Sequence, residues 1–233
     1  MVRSVADTAY PAASQVSLAV VFRVRDGRLQ VLVWRRERDP FGGAFALPGG
    51  YLSPGESLEE SITRHLAAKV DVREVAHTEQ LGTWSDPQRH PSEWQVVTAY
   101  LGLVAADLDP ALPADTSWWP VDALPELAFD HGTIVLTARE RLRAKLSYTN
   151  IGFALAPPTF TISELRDIYV AALGHPVSAT NLQRVLVRRG ELVPTGERRA
   201  PGAVGGRPAA EFRFRLRELE VTDQFAVLRP PRG

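Results

Sequence analysis

Residues 47–71 read Leu47-Pro48-Gly49-Gly50-Tyr51-Leu52-Ser53-Pro54-Gly55-Glu56-Ser57-Leu58-Glu59-Glu60-Ser61-Ile62-Thr63-Arg64-His65-Leu66-Ala67-Ala68-Lys69-Val70-Asp71. Gly49 and Gly50 supply a loop with backbone angles that other residues resist. The spacing of Leu58, Ile62, Leu66 and Val70 then predicts a helix over 56–70. Glu56 and Glu60 fall on one face of it. With Glu59 they fit either weak metal ligation or a solvated helix face. Glu56 is expected to pair with Arg64 and fix the loop against the helix. His65 is expected to be a surface or packing residue.

Working outward, residues 17–24 form a β-branched apolar run, and 29–34 a second run. Asp26-Gly27 between them is a hairpin turn signal. Residues 94–104 read as a further strand, and Trp118-Trp119-Pro120 as a short extended piece. Residues 131–146 read as a long helix, with Ile134, Val135, Ala138, Leu142 and Leu146 on its apolar face. Asp130-His131 at its start reads first as a polar cap and second as a functional pair. Strands and helices in this order predict an α/β (α+β) sandwich.

Ala156-Pro157-Pro158 interrupts the pattern and divides the chain into 1–155 and 156–233. In the second part, Thr161 with Glu164 fits a capping box, and Gly174 a helix C-terminus. Ser178 caps a following helix that Gly190 ends. Residues 191–195 and 211–216 are extended segments around a Gly-, Pro- and Arg-rich ribbon, 196–210. Two helices, a short turn and a basic hairpin give the plan of a winged helix-turn-helix.

Charge supports that division. The chain has no net charge, with 27 basic and 27 acidic residues. Residues 156–233 nevertheless hold 12 Arg against 8 acids, and 184–217 hold 9 Arg against 3 Glu. A local basic block fits either an anionic partner or a salt-bridged surface. Asn181, Arg184 and Arg188 recur at three- and four-residue steps on the polar face of the second helix, with Gln183 beside them. Such side chains bond base edges and phosphates. Arg198, Arg199 and Arg207 on the ribbon extend the cationic surface, as a wing reaching a phosphate backbone would. Double-stranded DNA is therefore the expected partner of this part.

Composition bounds the rest. With 45% hydrophobic and 23% charged residues the balance is that of a soluble globular protein. No apolar run reaches 18 residues, so no membrane partner is expected. Residues 1–11 lack a signal-peptide pattern, and a cytoplasmic location is expected. The absence of cysteine excludes disulfides and thiolate zinc sites.

The glycine loop and its helix resemble the Nudix family. Its box places Glu six residues after Gly, then Arg eight residues later, as Gly50, Glu56 and Arg64 stand here. The likeness includes Trp34-Arg35-Arg36, Pro40-Phe41, the run from Phe45 to Gly50, and Leu127-Ala128-Phe129-Asp130-His131. It implies a Nudix-like α/β/α sandwich. In that family three box glutamates hold divalent cations that polarise a diphosphate and activate water. Their positions here carry His65, Ala68 and Lys69, and Asp71 replaces a glycine. Alanine offers no ligand and lysine repels a cation, so neither a metal nor catalysis is expected. Binding can outlast catalysis. Gly49 and Gly50 amides with Arg35 and Arg36 are candidates for holding a diphosphate. Phe45 and Trp84 either stack on a base or ribose or belong to the core, and Arg89 is a ligand contact or a loop charge.

The order of the two parts, with Asn181-x-x-Arg184 and Gly206-Arg207-Pro208-Ala209, resembles the Nudix-related transcriptional regulators of NAD metabolism. The resemblance implies a homodimeric repressor on palindromic operators of NAD-synthesis or salvage genes. It also implies ADP-ribose or a related nucleotide as effector, no required cofactor, and DNA contacts at Asn181 and Arg184. The rival reading is an active Nudix hydrolase of ADP-ribose or another nucleoside diphosphate derivative, with Glu56, Glu59 and Glu60 as substitute metal ligands.

Overall fold

The computed structural model describes residues 12–69, 75–200 and 208–223. Its first strand, β1 (Ser14–Arg25), organises the larger part. Valines, Leu18 and Phe22 fill it, and alternate side chains leave on opposite faces. Val16, Leu18, Val20, Phe22 and Val24 enter one hydrophobic core, and Ala19 and Val21 another. The turn at Asp26-Gly27 has positive φ at both residues, 52° and 70°. That is the twist two-residue hairpins need, and it returns the chain as β2 (Arg28–Arg35).

Two short strands, β3 (Phe45–Ala46) and β4 (Gly49–Tyr51), pair with β2 and β1 respectively. Helix α1 (Leu58–Lys69) follows. It begins two residues later than the apolar spacing alone predicts, because Ser57 and Glu60 form its cap. The Glu60 amide donates to Ser57 Oγ at 3.1 Å, and the Ser57 amide to Glu60 Oε2 at 2.8 Å. Strands β5 (His77–Trp84), β6 (Gln95–Leu103) and β7 (Thr116–Pro120) complete a seven-stranded sheet. Its order is β3-β2-β1-β6-β5, with β4 on β1 and β7 on β2. Only β1 and β6 run parallel among these named pairs.

Helix α2 (His131–Tyr148) covers one face through Ile134, Val135, Ala138, Leu142 and Leu146. Helix α1 covers the other through Ile62 and Leu66. The expected α/β/α sandwich is present. Residues 70–74, which include Val70 and Asp71, lie outside the described residues.

A buried 3-10 turn, Ile151–Ala154, leads into β8 (Phe160–Thr161), α3 (Ile162–Leu173), α4 (Ala179–Arg188), β9 (Leu192–Arg199) and β10 (Ala209–Phe214). The second sheet runs β8-β10-β9. The expected caps are present: Thr161 and Glu164 make a full capping box, Gly174 is left-handed, and Ser178 accepts from the Asn181 amide. Ala156, at the expected break, is fully buried. Leu165, Ile168, Tyr169, Leu182 and Leu186 join the same core that lies under α2, so the two parts pack continuously.

Candidate ligand pocket and nucleic-acid interface

Strands β1, β2, β4 and β6 and the start of α2 surround a cavity of about 620 Å³. Gly49 and Gly50 form part of its wall, and the reason is steric. A Cβ on Gly49 would strike the Ser17 carbonyl, and one on Gly50 would strike the His65 ring. His65 is therefore a packing residue, 7% exposed, with Nε2 3.0 Å from the Tyr51 carbonyl. Because a carbonyl only accepts, Nε2 carries the proton.

Beside the pocket, Arg64 grips Glu56 at both oxygens, 2.5 and 2.7 Å, and also donates to the Tyr51 carbonyl and Ser53 Oγ. The Arg64 bonds hold the Glu56 carboxyl down to a pKa of about 2. This is the expected ion pair pinning loop to helix. The remaining helix carboxylates are occupied as well. Glu59 accepts from the Tyr100 hydroxyl at 3.2 Å, and Glu60 closes the cap. Glu59 and Glu60 both lie on an exposed face of α1, as the solvated reading expects, and each makes one of these bonds there.

Four of the expected pocket residues line the cavity: Arg36, Gly49, Gly50 and Arg89. Arg36 donates to the carbonyls of Pro40 and Arg38 and lies over the Phe129 ring at 4.9 Å. Among the described residues it has no carboxylate partner. Burial lowers its pKa from the usual arginine value, but arginine keeps its charge. Arg89 is different. It is 9% exposed and bonds Asp130 at 2.6 Å and Gln95 at 3.0 Å. It is neither a free loop charge nor an unpaired cation.

Arg35, Phe45, Glu56 and Trp84 stay outside the lining. Arg35 donates to the Gly43 carbonyl. Phe45 packs at 5.4 Å on Trp119, and both Phe45 and Trp84 rest against the core. The core alternative for these aromatics is the one observed. The polar cap expected at Asp130 also needs correction. Asp130 makes no side-chain cap bond, because its carboxylate is turned to Arg89. His131 instead accepts the Leu47 amide at Nδ1, 3.0 Å, and burial drives its pKa down to about 3, so the ring is neutral. The pocket also contains residues the sequence did not mark as ligand contacts, Tyr51, His90, Glu93 and Gln95, and Phe129 from the run of the family likeness. His90 stacks on Phe129 at 5.4 Å. Tyr51 comes from β4, whereas Glu93 and Gln95 come from the loop entering β6 and its first residue, so the Tyr51 contact leaves no local spacing signal.

The second candidate surface is α4. Leu182 and Leu186 point inward, while Asn181, Arg184 and Arg188 are exposed and Gln183 is half-buried. Arg184 donates to Asn181 Oδ1 at 2.8 Å, which aligns the two exposed side chains. Arg198 is exposed and donates to the Pro208 carbonyl. Arg199, expected on the cationic surface, is corrected by its partners. It bonds Glu164 at 2.7 Å and Glu211 at 2.7 Å, so its charge is spent tying β9 to α3 and β10. Arg207 lies outside the described residues.

The NUDIX domain family matches residues 14–138, and the NrtR DNA-binding winged helix domain matches residues 152–214. The chain belongs to the NrtR family, a Nudix domain joined to a winged helix. This NrtR-family chain is 30% identical over 218 residues to the ADPR responsive transcriptional repressor NtrR of Acinetobacter baylyi, spanning 91% of the chain and 86% of that protein. It is similar to Shewanella oneidensis NrtR solved in complex with a 27mer DNA, at 32% identity and TM-score 0.76, over 86% of this chain and 93% of that one. It is also similar to the Nudix domain of S. oneidensis NrtR complexed with ADP ribose, at 35% identity and TM-score 0.51, over 58% of this chain and 92% of that one. No helix among the described residues of this NrtR-family chain is long and apolar enough to cross a membrane.

Proposed function

We propose that this NrtR-family chain is a DNA-binding transcriptional repressor of NAD biosynthesis or salvage genes. Its Nudix pocket binds ADP-ribose or a related nucleotide without hydrolysing it. The observation that carries the reading is the exposed, mutually aligned Asn181–Arg184 pair on α4. Arg184 would bond a base edge, with Asn181 beside it. Arg188 and Arg198 would contact phosphates, as would Arg207. Gln183 sits at the edge of the same face. Residues 1–155 serve ligand binding and 156–233 DNA binding. A homodimer would set two α4 helices about one DNA turn, roughly 34 Å, apart on a palindromic operator. Ligand acts by favouring a geometry with a different spacing.

The donor set does not fit a divalent cation. Position 65 holds a ring packed on Gly50, and position 68 a methyl group. Glu56, Glu59 and Glu60 serve Arg64, Tyr100 and the α1 cap. No hydrolytic step is therefore derived. In the pocket, Arg36 is the diphosphate-holding charge, because among the described residues its guanidinium bonds carbonyls and a ring face and makes no ion pair, with Asp39 acting on it only from a distance. Arg89 positions Asp130 and Gln95 from behind.

The test is incubation of the protein with ADP-ribose and Mg²⁺ or Mn²⁺, with nucleotide analysed afterwards. ADP-ribose recovered intact is expected. Metal-dependent release of AMP that Glu60→Ala abolishes would replace this reading with the hydrolase.

A further inference from the structure

Glu93 stands in the ligand pocket with a third of its side chain, 33%, exposed. Its two oxygens are used unequally. Oε1 accepts from the Tyr51 hydroxyl at 2.5 Å and from Gln95 Nε2 at 2.6 Å, and His90 Nε2 stands 3.6 Å away. Oε2 accepts from Ser14 Oγ at 3.1 Å and from no other group among the described residues. A carboxylate offers about four acceptor positions, so Oε2 keeps capacity for a further donor.

The carboxylate is held firmly from behind. Asp130 binds Arg89, Arg89 binds Gln95, and Gln95 binds Glu93, through bonds of 2.6, 3.0 and 2.6 Å. Its hydrogen bonds, the Tyr51 hydroxyl foremost, keep Glu93 below the usual carboxylate range. The pocket therefore holds a fixed anion together with a cation, Arg36, that makes no ion pair among the described residues, although Asp39 acts on it from a distance. A fixed anion with spare acceptor capacity attracts hydroxyl groups and repels phosphate. Tyr51, 54% exposed, extends the same polar rim.

We propose that Glu93 is the sugar-reading residue of this pocket, accepting a hydrogen bond at Oε2 from a hydroxyl of a ribose diol while Arg36 holds the attached diphosphate. The proposal rests on the reading that the pocket takes a nucleoside diphosphate. It makes ligand preference a matter of hydroxyls at one end and phosphate charge at the other. Loss of a hydrogen bond to a charged acceptor weakens binding by about tenfold or more.

The test is calorimetric titration of full-length wild type, Glu93→Gln and Arg36→Ala with ADP-ribose, ADP and inorganic pyrophosphate, with melting temperature as the control for folding. Glu93→Gln is expected to bind ADP-ribose about tenfold more weakly, yet to bind pyrophosphate as well as or better than wild type. Equal weakening of ADP identifies the adenosine ribose as the diol that Glu93 reads. Weakening confined to ADP-ribose identifies the distal ribose. Binding of ADP-ribose and ADP by Glu93→Gln within twofold of wild type, with Arg36→Ala impaired, overturns the proposal and leaves the nucleotide reading standing. Equal loss for pyrophosphate also overturns it, because that loss reports a disturbed pocket. If wild type binds none of the probes, the nucleotide reading fails first; if wild type binds and Arg36→Ala binds unchanged, Arg36 does not hold the diphosphate and the proposal is overturned while the nucleotide reading stands.

Discussion

Helices α1 and α4 start alike and end with opposite uses. Each follows a serine cap, Ser57 or Ser178, and each carries polar side chains on one face. On α1 four polar side chains are bonded to or packed on neighbours, although Glu59, Glu60 and Arg64 stay exposed. Arg64 closes on Glu56, Glu59 takes the Tyr100 hydroxyl, Glu60 closes the cap, and His65 fills the space over Gly50. On α4, among the described residues, Arg184 bonds Asn181, Arg188 is exposed and Gln183 is half-buried. A helix whose charges are satisfied internally supports a scaffold. A helix whose charges face water can exchange that water for a partner.

The sharpest way to break this contrast is to strip α4. Replacing Asn181 and Arg184 together with alanine removes side chains of the kind whose base contacts contribute about 1–3 kcal/mol each. We expect the operator to bind about thirtyfold more weakly or worse, with an unchanged melting temperature, in a fluorescence anisotropy titration. Undiminished binding would show that α4 is a solvated face. Binding should also weaken steeply with added salt, since phosphate contacts release counterions.

A second contrast lies behind α4. Glu191 is fully buried, and burial raises its pKa from 4.5 to about 7 despite Thr222 and the more distant Arg189. For a carboxyl raised in the folded state, the neutral form favours folding. That contribution is complete below about 4.5 and is lost as pH rises through about 7. The loss amounts to roughly 3 kcal/mol by the pKa difference. Glu191→Gln should therefore flatten the fall in melting temperature between pH 5 and pH 8.5. Parallel slopes in variant and wild type would remove Glu191 as the cause. His131 works in the opposite sense, since its lowered pKa costs stability as pH falls below 6.5.

The smallest effect sharpens the comparison directly. Ser57→Ala and Ser178→Ala each delete a helix cap and should each cost about 1 kcal/mol in urea unfolding. Only Ser178→Ala is expected to weaken DNA binding as well. Equal effects on DNA would mean that α1 also touches the partner.

Most of the fold could be read locally. The Asp26-Gly27 turn, the Thr161–Glu164 box and the apolar steps of α2 are all encoded within a few residues. The Glu56–Arg64 pair was equally legible, because the helix brings the two together. The pocket floor was not. Tyr51, Glu93 and Gln95 meet only because β4 pairs with β1 and β1 runs parallel to β6. Arg89 could not be read from its loop, since its partner Asp130 is 41 residues away. Arg199 was misread for the same reason. Its neutralising carboxylates, Glu164 and Glu211, are 35 and 12 residues distant, so a local count of arginines overstates the free charge of the wing.

In the proposed regulator the pocket senses a nucleotide and α4 reads DNA within one coupled molecule. The direct measurement is anisotropy of labelled operator DNA bound to the full chain as ADP-ribose is added at constant salt. Progressive release of DNA, abolished in Arg36→Ala, is the result this account predicts. Anisotropy that stays constant while calorimetry records ADP-ribose binding would contradict it.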